Sequence, residues 1–382
     1  MTASGFAQAL VFGWLHQPDA TRKQLHQSAL ECGLSLTPQG LDQRFTEAAV
    51  DFMRGLLEAA LKEVVRSEAP RPLLPAFNGV YLTDSTHVTW GEMGLKLGVR
   101  LELQHGDLAV SLEPATRHDQ KLAVLDPALP AGALVLNDLG FFKLERFQAW
   151  SRNGVYWLTR YKTGTTLTEL DGSAFPLEAR LQANQPFTAA VKVGQRNPVT
   201  AWLHAAPLEA AAWRKRQARL KEVARKKQRV LSPRQQALAR WTLYLTNVPD
   251  LTFDHAHILA RTRWQIELLF KLWKSHAHLT QSRSADPLRC ACEGYAKLLA
   301  LLVAHWLLLT GGWEDFPVSS VDALHLIQRH APQILAALVR HRSMTRTLQH
   351  LRRLLRLLPR HSRRKTHPLA FQLWQAFDPV LP

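Results

Sequence analysis

Residues 259–275 read L-A-R-T-R-W-Q-I-E-L-L-F-K-L-W-K-S, and the rest of the chain takes its meaning from them. The stretch has no Gly or Pro, is rich in good helix formers, and sets one acid, Glu267, among four bases. On a helix advancing about 100° per residue, Arg263 lies at about −40° from Glu267, Lys271 at about +40° and Lys274 at about −20°. The carboxylate then sits inside a cationic stripe, a face suited to holding a metal ion beside a polyanion. A surface helix with i,i+4 Glu–Lys pairs shares the pattern, so residues elsewhere must decide.

The 382 residues suffice for two or more domains and a large core. A hydrophobic content of 46% and a charged content of 21% are those of a folded chain. The balance of 48 basic against 31 acidic residues, a formal +17, calls for an anionic partner. Clustered bases interleaved with 12 Trp point to nucleic acid. Cys32, Cys290 and Cys292 cannot build a disulfide framework, and C-x-C without further ligands is no zinc site. Reduced, buried thiols in a cytosolic protein are expected. The N-terminus lacks the charged-then-apolar order of a secretory signal. The most apolar run, 298–310, contains His305 and is too short to span a bilayer, so it reads as a core helix.

Residues 1–76 read as helical, with apolar spacing of three and four over 6–16, 21–32 and 41–69. Residues 21–31, a turn at Gly33 and 38–46 fit a helix-turn-helix, and equally a three-helix packing with no DNA role. Pro70, Pro72 and Pro75 punctuate a linker. The period then becomes two, with strands expected over 80–84, 95–103 and 108–112. The turn Gln104-His105-Gly106-Asp107 makes the last two a hairpin. A short helix over 117–125, a strand over 133–138, a helix over 141–151 and a strand over 155–161 follow. This is an α/β order, a mixed sheet with helices. Asp84 and Asp138 both fall at strand ends, where such sheets place ligand sites.

Residues 163–240 break the pattern and read as an insertion, with short strands over 165–170, 188–193 and 199–204. Its basic segment carries Arg214, Lys215, Arg216, Arg219, Lys221, Arg225, Lys226, Lys227 and Arg229 against Glu222 alone. Such one-sided charge favours a phosphate-tracking surface over a merely solvated helix face. Residues 241–246 return as a strand, and the opening helix starts near Asp254 as its N-cap. Helices are expected over 290–309, 321–330 and 334–340. The tail from Arg340 to Lys365 is basic and acid-free, with Leu351, Leu354, Leu355 and Leu358 on one face.

Three acids stand out: Asp84, Asp138 and Glu267. Brought together, their carboxylates would repel one another unless cations neutralised them. Hard oxygen ligands select Mg²⁺ or Mn²⁺, and two such ions suit in-line displacement at phosphorus.

The surroundings of these acids carry a resemblance. Arg263-Trp264-Gln265-Ile266-Glu267, with Lys274 seven residues on, resembles the Y-x2-R-x3-E-x6-K signature of bacterial insertion-sequence transposases of the Asp-Asp-Glu type, in the insertion-sequence-four family. Asp84-Ser85-Thr86 resembles that family's D-[ST]-T, and Asp138-Leu139-Gly140-Phe141 its D-x-G-[YF]. The resemblance covers about 81–275, and three motifs in the right order make it specific. It implies a ribonuclease-H-like core (77–162 and 241–285) interrupted by a β-rich, basic insertion (163–240). Helical regions would flank it: 1–76 binding DNA, and 286–382 for dimerisation and DNA contacts.

It further implies that Asp84, Asp138 and Glu267 are the catalytic metal ligands, with two Mg²⁺ ions for which Mn²⁺ may substitute. Arg263 and Lys274 would hold DNA phosphates, helped by Lys271. Arg160 resembles an Arg that approaches DNA in relatives. Trp241 occupies the position on which some members stack a flipped base, and it serves equally as a core Trp. One position departs from the signature: its Tyr is Ala260, which has no hydroxyl for a phosphate.

The expected activity is cut-and-paste transposition by a cytoplasmic, nucleoid-associated enzyme. It would bind terminal inverted repeats in double-stranded DNA as a homodimer, with no membrane partner. The competing readings are a nuclease of the same fold without strand transfer, and an inactive DNA-binding descendant.

Overall fold

The computed structural model describes residues 2–71, 74–125, 127–226, 228, 230–313, 319–340 and 344–358. Pro72, Lys227, Arg229 and Lys365, named above, lie outside these, as do Arg342, Arg360, Arg363 and Arg364 of the basic tail. The fold is mixed α/β.

Four helices open the chain: α1 (Ala3–His16), α2 (Arg22–Glu31), α3 (Pro38–Asp42) and α4 (Glu47–Ala60). Each begins at a threonine. Thr2, Thr21, Thr37 and Thr46 accept a first-turn N–H through their hydroxyls, satisfying donors the helix cannot pair itself. Gln24 completes a capping box with Thr21. The pair proposed for a helix-turn-helix becomes α2 and α3, and α3 is only about 7.5 Å long at 1.5 Å per residue. Helix α4 stops before the expected residue 69, because the chain leaves to pair elsewhere: Ser67 N–H donates to His105 O and Arg71 N–H to Gln104 O, both at 2.8 Å.

Strands β1 (Val80–Trp90), β2 (Met93–Glu102) and β3 (Leu108–Pro114) follow. The β2–β3 hairpin is as expected, in antiparallel register with Leu101 opposite Leu108. Gly106 holds φ +78° in the turn, where a side chain would also strike Leu309 and Trp313. The expected end of β1 at residue 84 is too early. Val88 and Trp90 alternate inward, and the Trp90 indole N–H donates to Leu279 O at 3.1 Å, so the strand continues and Asp84 lies within it. Two 3-10 turns, Asp119–Lys121 and Ala123–Leu125, replace the expected helix. Leu122 and Val124 both cover Gly98, an i,i+2 burial that an α-helix cannot provide.

Then come β4 (Leu134–Asn137), α5 (Leu144–Arg152), β5 (Tyr156–Arg160), β6 (Leu167–Thr168), α6 (Leu177–Gln182), β7 (Phe187–Val193), β8 (Val199–Pro207), α7 (Ala210–Lys226) and α8 (Pro233–Ala239). Strand β9 (Trp241–Thr246) matches its expected limits. The last helices are α9 (Phe253–Thr262), α10 (Trp264–Lys271), α11 (Pro287–Gly312), α12 (Ser320–Val339) and α13 (Met344–Arg356).

The chain divides into two compact units. Among the described residues, the sheet unit comprises Leu74–Leu82 and 127–264. Its described strands lie in the order β1-β4-β5-β9-β8-β7-β6, with β1, β4 and β5 parallel and the rest antiparallel. Its core runs from Val135 and Trp157 through Val191 and Leu203 to Leu245, with Phe147 stacked on Trp157 at 4.5 Å.

Among the described residues, the helical unit comprises those within 2–71, 83–125 and 265–358. Helix α11 is its axis, packed by α1, α4, α12 and α13. Within it Pro287–Gly311 is long and apolar enough to cross a membrane, but 78% of that window is buried inside the unit, as a core helix requires. In α13, Leu351 and Leu355 are buried and Arg352, Arg353 and Arg356 exposed, so the helix docks by its leucine face and keeps a basic outer side. The three cysteines are free, and Cys290 and Cys292 are buried.

Helix α12 joins two segments that were expected to be separate, running through Pro332. Proline cannot supply the N–H that Gln328 O would accept. The His16 ring donates to that carbonyl instead, Nδ1 to O at 2.9 Å.

Candidate active site

Asp138 follows β4 directly and stands at the N-cap position of the 3-10 turn Leu139–Phe141, with no capping bond from its side chain. Strands β4 and β5 pair in parallel with Asn137 opposite Thr159, so Asp138 and Arg160 are the next residues along. Arg160 Nη2 donates to Asp138 Oδ1 at 2.9 Å. Burial pushes the Asp138 carboxyl up, but the Arg160 hydrogen bond and the charges of Arg263 and Arg160 outweigh it. They hold the group below the usual carboxylate range. Arg160, expected near DNA, therefore stands against a candidate metal ligand.

Beside it, Asn137 is 5% exposed, and neither its amide nitrogen nor its amide oxygen has a hydrogen-bond partner among the described residues. Nothing in the sequence singled this residue out.

Trp241 is 5% exposed, its ring centroid 6.2 Å from that of Phe187, inside the sheet unit's core. Of its two readings, the core Trp is the one this packing fits. Three residues on along the same strand, Tyr244 donates or accepts with His257 Nδ1 at 2.9 Å, and burial pushes its hydroxyl up to about 12. Ala260 is half-buried on α9.

The opening stretch is not one continuous helix. Thr252, rather than Asp254, is the N-cap of α9, and Asp254 sits in its first turn. Arg263 is the C-cap of α9, and α10 restarts at Trp264. After Lys271 the chain makes a π turn, Leu272–His276, in which Ala277 N–H reaches back five residues to Leu272 O at 3.2 Å. Arg263 keeps right-handed helical angles (φ −53°, ψ −27°) between α9 and α10, so a wheel drawn at about 100° per residue is displaced by the π turn before Lys274. Glu267 and Lys271 keep their i,i+4 relation within α10, half-buried and exposed respectively.

The π turn aims Lys274 inward. Its ammonium donates to Thr86 Oγ1 at 2.5 Å and His87 O at 2.8 Å, tying the segment after Glu267 to the strand that carries Asp84. Burial lowers the Lys274 pKa. Two of its three N–H donors are thus committed to β1. Asp84 Oδ1 accepts the Ser85 N–H at 2.8 Å, and Ser85 Oγ donates to Asp119 Oδ1 at 2.7 Å. Lys96 Nζ holds the same Asp119 oxygen at 3.0 Å. The Asp84-Ser85-Thr86 motif is therefore gripped at its second and third residues. That grip joins distant segments, and no local pattern announces it.

The carboxylate oxygens of Asp84, Asp138 and Glu267 are the hard donors a divalent ion takes, and Asp138 is held ionised. Among the described residues, no group of three or more His, Cys, Asp or Glu side chains lies close enough to hold a metal by itself.

A family model, the Transposase DDE domain, matches residues 75–303, more than half of the chain. The chain belongs to the DDE transposases: it is a DNA transposase, an enzyme acting on DNA by phosphoryl transfer, and its family depends on divalent metal. It is similar to the transposase for insertion sequence element IS231F of Bacillus thuringiensis subsp. israelensis, with 25% identity over 89% of this chain and 81% of the relative. The IS231B transposase of Bacillus thuringiensis subsp. berliner is 23% identical over 97% and 88% of the two chains. The IS1151 transposase of Clostridium perfringens is 23% identical over 81% and 74%.

Proposed function

We propose that this transposase cuts and rejoins DNA at terminal inverted repeats by cut-and-paste, with Asp84, Asp138 and Glu267 as ligands for two Mg²⁺ ions. The observation that carries this reading is a register. Leu82 pairs with Leu136 in parallel strands, and in the sequence Asp84 and Asp138 each follow that pair by two residues. Parallel β1, β4 and β5 with the hairpin after β1 also support a ribonuclease-H-like core over 77–162 and 241–285. In this division 163–240 is the insertion and 1–76 and 286–382 are flanking helical regions.

The bound ions would polarise the attacking water or 3′-hydroxyl and neutralise the leaving oxygen. The protein's own groups prepare for this. Arg160 keeps Asp138 ionised, and Lys274 fixes the segment after Glu267 against β1. Arg263 and the exposed Lys271 hold DNA phosphates beside the cut. Each end must be retained while the other is cut, so the enzyme works as a homodimer on DNA, in the cytoplasm at the nucleoid.

Supercoiled DNA bearing the element ends, incubated with Mg²⁺, tests the reading. End-specific cleavage and joining, lost in Glu267→Ala, are expected. Cleavage without end preference would replace it with a simple nuclease, and tight binding without cleavage by the wild type with an inactive descendant.

A further inference from the structure

Helix α7 (Ala210–Lys226) carries seven cations and one acid in 17 residues, and Ala224 is its one buried residue. It is nonetheless anchored. Arg216 turns inward, its Nη1 donating to Trp241 O at 2.7 Å, and the Arg240 guanidinium lies 5.5 Å from the Trp213 ring. The outward cations fall into two ridges. At about 100° per residue, Arg214, Lys221 and Arg225 lie within about 40° of one another, and Lys215, Arg219 and Lys226 form a second ridge about 100–140° round.

The ridges differ in charge. Glu222 lies on the second and pairs with Lys226 at 2.7 Å. The first contains no acid, and none of its three members has an ion-pair partner among the described residues. All three are exposed. Three like charges held on an anchored helix, with no acid to offset them, repel one another until a polyanion is present. A duplex offers one phosphate charge per about 1.7 Å of axis, and the ridge from 214 to 225 is about 16 Å long.

We propose that the Arg214–Lys221–Arg225 ridge of α7 is a DNA-binding surface distinct from the catalytic carboxylates, tracking the phosphate backbone of duplex DNA. The assignment draws on the transposase activity for its partner but needs no cleavage. Its test therefore uses the Glu267→Ala protein without divalent metal and a duplex of unrelated sequence, with affinity measured against salt.

Replacing Arg214, Lys221 and Arg225 together by Gln should flatten the slope of log K against log salt by about 2.7, at about 0.9 per phosphate contact. The matched Lys215, Arg219 and Lys226 triple should change it by less than about 1. Circular dichroism checks folding, and if the first triple unfolds, Lys221→Gln alone should remove about 0.9. An unchanged slope for the first triple, or equal losses for both, overturns the assignment. So does competition by phosphatidylserine vesicles as effective, per unit charge, as duplex DNA.

Discussion

Two basic stretches, α7 in the sheet unit and residues 265–276 in the helical unit, look alike as sequence and behave differently as structure. Helix α7 is unbroken and sends six of its seven cations outward. The segment after Arg263 restarts, winds into a π turn and buries the use of Lys274 in a latch onto Thr86 and His87. A lysine on a helix is thus a ligand for solvent anions in one place and a structural tie in the other. What decides is the turn geometry behind it, since a π turn re-aims every following side chain.

Substitutions can break this contrast, starting with the largest effect. Glu267→Ala should cost about a thousandfold or more in end cleavage, a loss of at least about 4 kcal/mol of transition-state stabilisation. Next comes Lys274→Met, which strands the Thr86 and His87 acceptors and should lower stability by about 1–2 kcal/mol in urea titration. Lys221→Met on α7 should stay within about 0.5 kcal/mol. Equal effects at the two lysines would erase the distinction.

A pH prediction sharpens the comparison of the units. Burial pushes His305 down to about 4, while its Nε2 donates to Gly106 O at 2.7 Å. The folded state resists protonation that the unfolded state accepts near 6.5, so stability falls as pH drops from about 6.5 towards 4. The loss should reach about 2 kcal/mol at pH 5 and be removed in His305→Gln. The smallest expected effect is at Asn137. With both amide atoms unpartnered, Asn137→Leu should cost no stability, and a melting-temperature rise accompanied by lost cleavage would mark the amide as retained for function.

Much of the fold was readable because its signals are local. Threonines precede all four N-terminal helices, the 104–107 turn closes its hairpin, and 241–246 forms its strand without adjustment. The three acids were proposed the same way, through short motifs. What stayed hidden depends on partners far along the chain. Strand β1 outruns Asp84 because Leu279 O waits for Trp90, and Lys274 points inward because Thr86 receives it. The Asp138–Arg160 pair follows only once β4 and β5 are known to be parallel.

The His16–Gln328 hydrogen bond spans 312 positions and repairs the gap that Pro332 leaves in α12. At about 5–20 residues per second on the ribosome, α1 emerges roughly 15–60 s before the helix it mends. During that interval its apolar faces, which end up against α11 and α12, have no partner to cover them. The helical unit, and the glutamate it carries, is therefore assembled late in synthesis, and a prematurely terminated chain leaves an aggregation-prone fragment in place of a DNA-cutting enzyme.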